Sequence, residues 1–292
     1  MNLFLEKYEN YKSAVNESLA NIIEEAFVDS EVINAMKYSL NIGGKRIRPI
    51  LVLAFCECFG GSMSQAIDVA CAVEMVHTYS LIHDDLPCMD DDNLRRGQPA
   101  CHVKFGQATA LLAGDGLLTY AFNIISKSDV NNNVKIEIIK KLSEAIGHKG
   151  MILGQDLDIN TQQGVTLARL ALIHSLKTGD LMKVCALIGS LVAGTKSNLQ
   201  NVASQYGETI GLAYQIRDDI MDVVGTEKNL GKTVGIDKKN NKITFVDLLG
   251  ISKCKQTVKD LTCEAKRLIN SLMFENCEFI LKLTDYILGL DI

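Results

Sequence analysis

No proline follows Pro99 in this chain of 292 residues, and only Pro49 and Pro87 precede it. Proline stops a helix more reliably than any other residue, because it lacks the amide donor and its ring clashes with the preceding turn. The last two-thirds of the chain are therefore without breakers, and Leu, Ile, Ala, Lys and Glu recur there at helical spacing. No alternation of strand and helix patterns interrupts them, so the fold class is all-α. Helices are expected over roughly Leu3 to Val28, Ser30 to Leu40, Ala66 to Ile82, Gln107 to Ser126, Val134 to Ile159 and Asn201 to Val224, with amphipathic helix again from Phe245. The segment from Ala66 to Ile82 is apolar nearly all round, which marks it as central.

A hydrophobic content of 47% is ample for a core, and a formal charge of -5 argues against a nucleic-acid-binding surface. Nine cysteines without a CxxC pair suggest reduced core thiols. Charges interrupt every apolar run before about 20 residues, and the N-terminus lacks the order of a signal peptide. These features predict a cytoplasmic protein with no membrane span.

The chemistry is concentrated where the central helix ends. In YSLIHDDLPCMDDDNLRRG, Asp84, Asp85, Asp90, Asp91 and Asp92 surround one proline, and Arg95 and Arg96 follow. Two carboxylates about 4 Å apart repel by roughly 4 kcal/mol at an effective dielectric near 20. A solvated acidic loop is the ordinary explanation for such a run. A second copy of the pattern, DDIMD at Asp218, Asp219 and Asp222, also ends an apolar helix and favours divalent cations instead. Mg²⁺ takes oxygen ligands and is commonly held by one or two carboxylates plus substrate phosphates. Asp84 and Asp90 on one side and Asp218 on the other supply such ligands, each DD pair giving one direct ligand and a neighbour for coordinated water. On a helical wheel Val73, His77 and Ser80 share a face with Asp84, while Pro87 forces Asp90 to return from the loop beyond.

Cations cluster elsewhere. In NIGGKRIRPI, Gly43 and Gly44 break a helix and Pro49 lies near the start of the next, so Lys45, Arg46 and Arg48 gather at a helix N-terminus, an anion site by geometry. KTG, at Lys177, Thr178 and Gly179, puts a glycine inside a helical run and predicts a bend that faces an anion. Gly207, Gly211, Gln215, Asp218 and Asp222 share one face of their helix. These cations exceed what one metal-bound leaving group needs. Lys45, Arg48 and Arg96 suit another phosphate held without metal, while Arg95, Lys177 and Lys232 can assist the metal-bound one. With an apolar shaft of Val73, Ser80 and Leu81 under the carboxylates, the residues describe a two-substrate enzyme acting on phosphorylated apolar chains.

These motifs together, GGKRIRP, EMVHTYSLIHDDLPCMDDDNLRRGQPACH, LAGD, GQDLD, KTG, YQIRDDIMDVVG, LGKTVG and KIT, resemble the short-chain trans-prenyltransferases, and most closely the bacterial-type farnesyl diphosphate synthases. The resemblance implies one domain over residues 1–292, an isoprenoid synthase-type helical bundle around a deep central cavity, and a homodimer. It places Mg²⁺, three ions bound with the allylic diphosphate and with Mn²⁺ as a substitute, on Asp84, Asp90 and Asp218, with Asp85, Asp219 and Asp222 in support. Isopentenyl diphosphate is assigned to Lys45, Arg48, His77 and Arg96. The allylic partner, dimethylallyl or geranyl diphosphate, is assigned to Arg95, Lys177, Thr178, Gln215, Lys232 and Lys242. The implied reaction is head-to-tail condensation to (2E,6E)-farnesyl diphosphate, with geranyl or geranylgeranyl diphosphate synthesis as the alternative and a non-catalytic subunit of a heteromeric enzyme more distant. Tyr79 and Ser80, five and four residues before Asp84, are the expected chain-length determinants.

Overall fold

A computed structural model of the chain describes residues 3–24, 30–160, 165–224 and 242–289. The described residues are helical almost throughout, and the paired strands among them amount to one two-residue ribbon. They fall into two compact units, Met1–Leu53 with Met63–Lys135, and Ala54–Ser62 with Ile136–Ile292.

The first unit holds α1 (Leu3–Glu24), α2 (Glu31–Asn41), α3 (Ile47–Cys58) as far as Leu53, α4 (Met63–Asp84), α5 (Cys101–Phe105) and α6 (Gln107–Lys127). Ser30 caps α2, its hydroxyl accepting the Ile33 amide at 3.2 Å. As its composition predicts, α4 is buried on every side: Val69, Ala72, Val73, Met75 and Val76 expose nothing. It packs against α6 and α1. Each such apolar side chain contributes about 1.5–3 kcal/mol on burial. Beyond α4, β1 (Leu94–Arg95) and β2 (Gln98–Pro99) pair antiparallel around Gly97. Among the described helices, α6 is long and apolar enough to cross a membrane, yet it is the packing partner of α4. Gly114 on α6 lies close against the His83 ring, where a Cβ would collide with it.

The second unit contains α7 (Asn132–Ile146) from Ile136 onward, α8 (Met151–Asn160), α9 (Leu167–His174), a π-turn (Ser175–Gly179), α10 (Asp180–Val192), α11 (Ser197–Val224), α12 (Phe245–Leu249), α13 (Ile251–Asn270), a 3₁₀ turn (Glu275–Cys277) and α14 (Glu278–Leu288). The pillar is α11, packed against α10, the π-turn, α13 and α14. Its Tyr206 is fully buried beside Phe55, ring centroids 5.2 Å apart, and its hydroxyl meets Thr284 Oγ1 at 2.9 Å.

Three expectations change. The helix read over Val134 to Ile159 is two helices, because the chain turns at Gly147 and Gly150; a Cβ at either would strike a carbonyl of the preceding turn. The bend expected at KTG is a π-turn, the wider i→i+5 helix that is frequent at functional sites. Reduced thiols are not the rule for all cysteines: Cys58, at the end of α3, and Cys277, in the 3₁₀ turn, form a disulfide across 219 residues. No local spacing signals that pair, since the packing of the second unit brings it together.

Candidate active site

The acidic end of α4 closes as the proline demands. Asp84 is the last helical residue, and the chain doubles back so that the Asp90 amide donates to the Asp84 carbonyl at 2.8 Å. Asp90 thus returns to the helix end despite Pro87. Asp85, 2% exposed, is turned inward onto Arg95, whose Nε donates to both carboxylate oxygens at 3.1 Å. Nη2 of Arg95 also reaches Asp85 Oδ1. Burial raises the Asp85 carboxyl above its ordinary range, and Arg95 opposes that rise. Of the paired aspartates, then, Asp85 fixes an arginine.

The loop before α3 carries the cations. Lys45 is exposed and Arg48 half-buried, both on the surface of the unit, but Arg46 is not a third member of that anion site. Its guanidinium is buried on Glu74 at 2.6 Å, which corrects the expectation that all three cations serve one anion. Arg48 Nη1 lies 3.2 Å from His77 Nε2, and its Nε is buried without a partner among the described residues. An arginine cannot accept, so His77 accepts at Nε2 and carries its proton on Nδ1. Burial, then Arg48, Arg96, Arg95 and Arg46, hold the His77 imidazole well below its ordinary pKa. His77 is therefore neutral at physiological pH and acts as a polar contact, not as a charge. Arg96 closes the cluster, its guanidinium lying against Gly44 where a Cβ would overlap it. Tyr79 is buried edge-on to His83, centroids 5.7 Å apart, and Ser80 donates to the His77 carbonyl at 2.9 Å.

The second unit gathers the remaining residues around the π-turn. Two glycines from flanking helices grip it: a Cβ on Gly154 of α8 would overlap the Lys177 backbone, and one on Gly211 of α11 would lie 2.7 Å from Gly179 Cα. Gly154 and Gly211 thus have the same use, close backbone approach. Lys177 Nζ donates to Asp158 Oδ2 at 2.7 Å, and Lys242 Nζ reaches the same oxygen at 3.2 Å. Burial alone would raise the Asp158 carboxyl, but the two lysines pull it below its ordinary range. Beside them His174 is lowered to about 4, chiefly by burial. Thr178 is buried in the turn. On α11, Gln215 and Asp218 are half-buried and Asp219 and Asp222 are buried. Asp219 Oδ2 accepts the Phe245 amide at 2.8 Å, tying the segment that carries Lys242 to the acidic helix. Lys232 lies outside the described residues.

Sequence reasoning gave no role to Asp158, Glu74 or the Asp219–Phe245 link. The signal for Glu74 is present: an acid in the middle of an apolar, fully buried stretch requires a buried base. Arg217, beside Asp218, donates from Nε to the Gly289 carbonyl at 3.2 Å.

No three His, Cys, Asp or Glu side chains among the described residues converge tightly enough to chelate a metal by themselves. The donor set still suits Mg²⁺, which keeps waters and shares its ligands with phosphate. Asp222 Oδ1 is buried without a hydrogen-bond partner among the described residues, an arrangement that a cation or its water shell would satisfy.

Next to the π-turn, burial raises Asp180 to about 6, with Glu208 adding to the rise and Lys183 opposing it. A carboxyl whose pKa is higher in the folded state stabilises below its unfolded value and loses that contribution as pH rises through about 6. Asp180→Asn should therefore raise the melting temperature at pH 8 and leave it unchanged at pH 4. Equal shifts at both pH values in thermal denaturation would contradict this.

The polyprenyl synthetase family profile matches residues 29–271. The farnesyl diphosphate synthase of Geobacillus stearothermophilus is 43% identical over 259 residues, 87% of each chain. Among solved structures, an FPP/GFPP synthase from Zymomonas mobilis matches with a TM-score of 0.87 at 31% identity, over 98% of this chain and 99% of that one. A geranyltransferase from Helicobacter pylori, solved in complex with magnesium and isoprenyl diphosphate, matches with a TM-score of 0.84 at 32% identity, over 99% of this chain and 97% of that one. The GGKRIRP loop, both aspartate-rich helix ends and the lysine-bearing π-turn all lie inside the matched region, and the chain belongs to the polyprenyl synthetase family.

Proposed function

We propose that the chain is a magnesium-dependent prenyltransferase that joins isopentenyl diphosphate head-to-tail to dimethylallyl and then geranyl diphosphate, releasing diphosphate and ending at (2E,6E)-farnesyl diphosphate. The observation that carries this reading is a pair of basic side-chain clusters of different construction. One is Arg48 and Arg96 around a neutral His77, with Lys45 on the loop that carries Arg48. The other gathers Lys177 and Lys242 on Asp158, with Asp219 of the aspartate-rich helix end bonded to Phe245.

In this reading Lys45, Arg48, His77 and Arg96 bind the diphosphate of the acceptor without metal, the planar guanidinium forks fitting its oxygens. A neutral His77 donates from Nδ1 and adds no further charge to the cluster. Arg95, Lys177 and Lys242 hold the allylic diphosphate, joined by Lys232. Asp84, Asp90 and Asp218 are the proposed Mg²⁺ ligands, with Asp219 and Asp222 supporting and Asp85 acting through Arg95. Bound there, Mg²⁺ supplies neutralisation of the charge on a diphosphate leaving group. The allylic carbon–oxygen bond breaks and the isopentenyl double bond attacks that carbon. The proton lost from the new chain passes to the departing diphosphate. Thr178 and Gln215 present oxygens to the electron-poor carbon. Lysines that both rest on Asp158 are preorganised for an anion and need little rearrangement to meet one.

The similarity to farnesyl diphosphate synthases supports the fifteen-carbon product, and the buried Tyr79 is the proposed limit on length. We further propose a single cytoplasmic domain acting as a homodimer, a reading supported by α6, whose Leu111 and Leu112 are exposed.

The test is to supply purified protein with Mg²⁺, isopentenyl diphosphate and each allylic starter in turn, and to read product lengths by mass spectrometry. A fifteen-carbon diphosphate is expected, lost on chelation and restored by Mg²⁺; a folded protein that joins no five-carbon units overturns the reading. Asp84→Ala and Asp218→Ala should each lower kcat by at least about 10²–10³-fold, the scale of a lost electrostatic contact to developing charge. Their circular dichroism should match the parent. Tyr79→Ala should lengthen the product, and chromatography that still shows only the fifteen-carbon chain would remove Tyr79 from that role.

A further inference from the structure

Arg46 is the one residue of the GGKRIRP loop whose charge is turned wholly inward. It is 4% exposed, and each of its nitrogens has a partner: Nε donates to Asn16 Oδ1 at 2.9 Å, Nη1 to Glu74 Oε1 at 2.6 Å, and Nη2 to the Leu40 carbonyl. These acceptors belong to α1, α4 and the end of α2. Its backbone is left-handed at φ 51°, following Gly43 at 87° and Gly44 at 129°. Glycine takes such angles freely, but an arginine there is strained because its Cβ crowds the following carbonyl. Such a conformation persists only where the surroundings over-determine it, and side-chain bonds to three helices do so. The strained residue lies between the two cations of the loop, next to Lys45 and two residues before Arg48.

Glu74 is the other half of the device. It is 1% exposed in the centre of α4, and its Oε2 has no hydrogen-bond partner among the described residues. A carboxylate buried with one idle oxygen is expensive unless its charge is used. Here it opposes the guanidinium groups of Arg46 and Arg96, and three residues further along α4 is His77, which Arg48 contacts.

We propose that Arg46 and Glu74 are positioning residues of the acceptor-diphosphate site: Arg46, anchored on Glu74, holds the loop in its left-handed path so that Lys45 and Arg48 present their charges together. Arg46 itself does not touch the substrate. This rests on the function proposed above, and predicts that damage to the pair weakens one substrate selectively.

The experiment compares wild type with Arg46→Lys, Glu74→Gln and Asn16→Ala, measuring KM for isopentenyl diphosphate and for geranyl diphosphate, kcat, and the melting temperature. Lysine keeps the charge but lacks the fork that reaches three acceptors. A positioning role predicts that Arg46→Lys and Glu74→Gln raise KM for isopentenyl diphosphate by about tenfold or more, leaving KM for geranyl diphosphate within about twofold. Asn16→Ala, which removes one of the three anchors, should give a smaller shift in the same direction. A purely structural pair would lower melting temperature and active fraction while moving neither KM, and that result overturns the proposal, as does an equal rise in both. Should Glu74→Gln not fold, Arg46→Lys and Asn16→Ala decide by the same criterion. A wild-type protein that fails to condense the two substrates refutes the proposed function, and this inference with it; a competent wild type with unshifted variants refutes this inference alone.

Discussion

Like charges must be brought together in this fold, and that is possible only because buried acids oppose them. Arg46, Arg48, Arg95 and Arg96 all act on His77, and each would repel its neighbours in a medium of low dielectric. Glu74 and Asp85 are the buried carboxylates set among them, one bonded to Arg46 and the other to Arg95. By neutralising these two arginines, the fold can keep Arg48 and Arg96 together without expelling either. The result is a local excess of positive charge facing outward, which is what a metal-free diphosphate site requires.

The second unit solves the same problem in another way. Lysines, being flexible point charges, are gathered on a single oxygen of Asp158, where an incoming anion can take over one or both. The π-turn makes this possible, because it widens the helix at Lys177 and Thr178, and Gly154 and Gly211 let the neighbouring helices close on its backbone. Asp219 then links the acidic end of α11 to Phe245, three residues after Lys242. Acidic helix end, cationic turn and the start of α12 form one connected structure, so a substitution at any of them should be felt at the others.

Much of this was legible in the sequence. Lack of proline gave the helical class, and α4 was recognisable as central because it is apolar on every face. The expected grouping of His77, Ser80 and Asp84 follows from helical geometry alone, and the return of Asp90 from Pro87. What escaped were features fixed by packing between segments distant in sequence. Arg46 reads like Lys45 and Arg48 until one knows that Glu74 lies beneath it. Asp158 gains meaning only when Lys242, 84 residues away, reaches it. The Cys58–Cys277 pair has no local signature. Gly147 and Gly150 lie inside the stretch that reads as one helix yet mark a break, since a glycine pattern alone does not say whether the backbone approaches a neighbour or turns on itself. Lys232, by contrast, lies outside the described residues, and its assignment stands on sequence.

The central claim is that one diphosphate site is built from protein charge alone and the other needs divalent metal. Calorimetric titration of isopentenyl diphosphate into the protein, with Mg²⁺ and again with excess chelator, addresses it directly. The account predicts that affinity changes by no more than about twofold between the two conditions and falls by about tenfold or more in Arg48→Gln, since a charge-assisted contact contributes about 1.5–3 kcal/mol. Binding that disappears on chelation, or that is indifferent to Arg48, would contradict it.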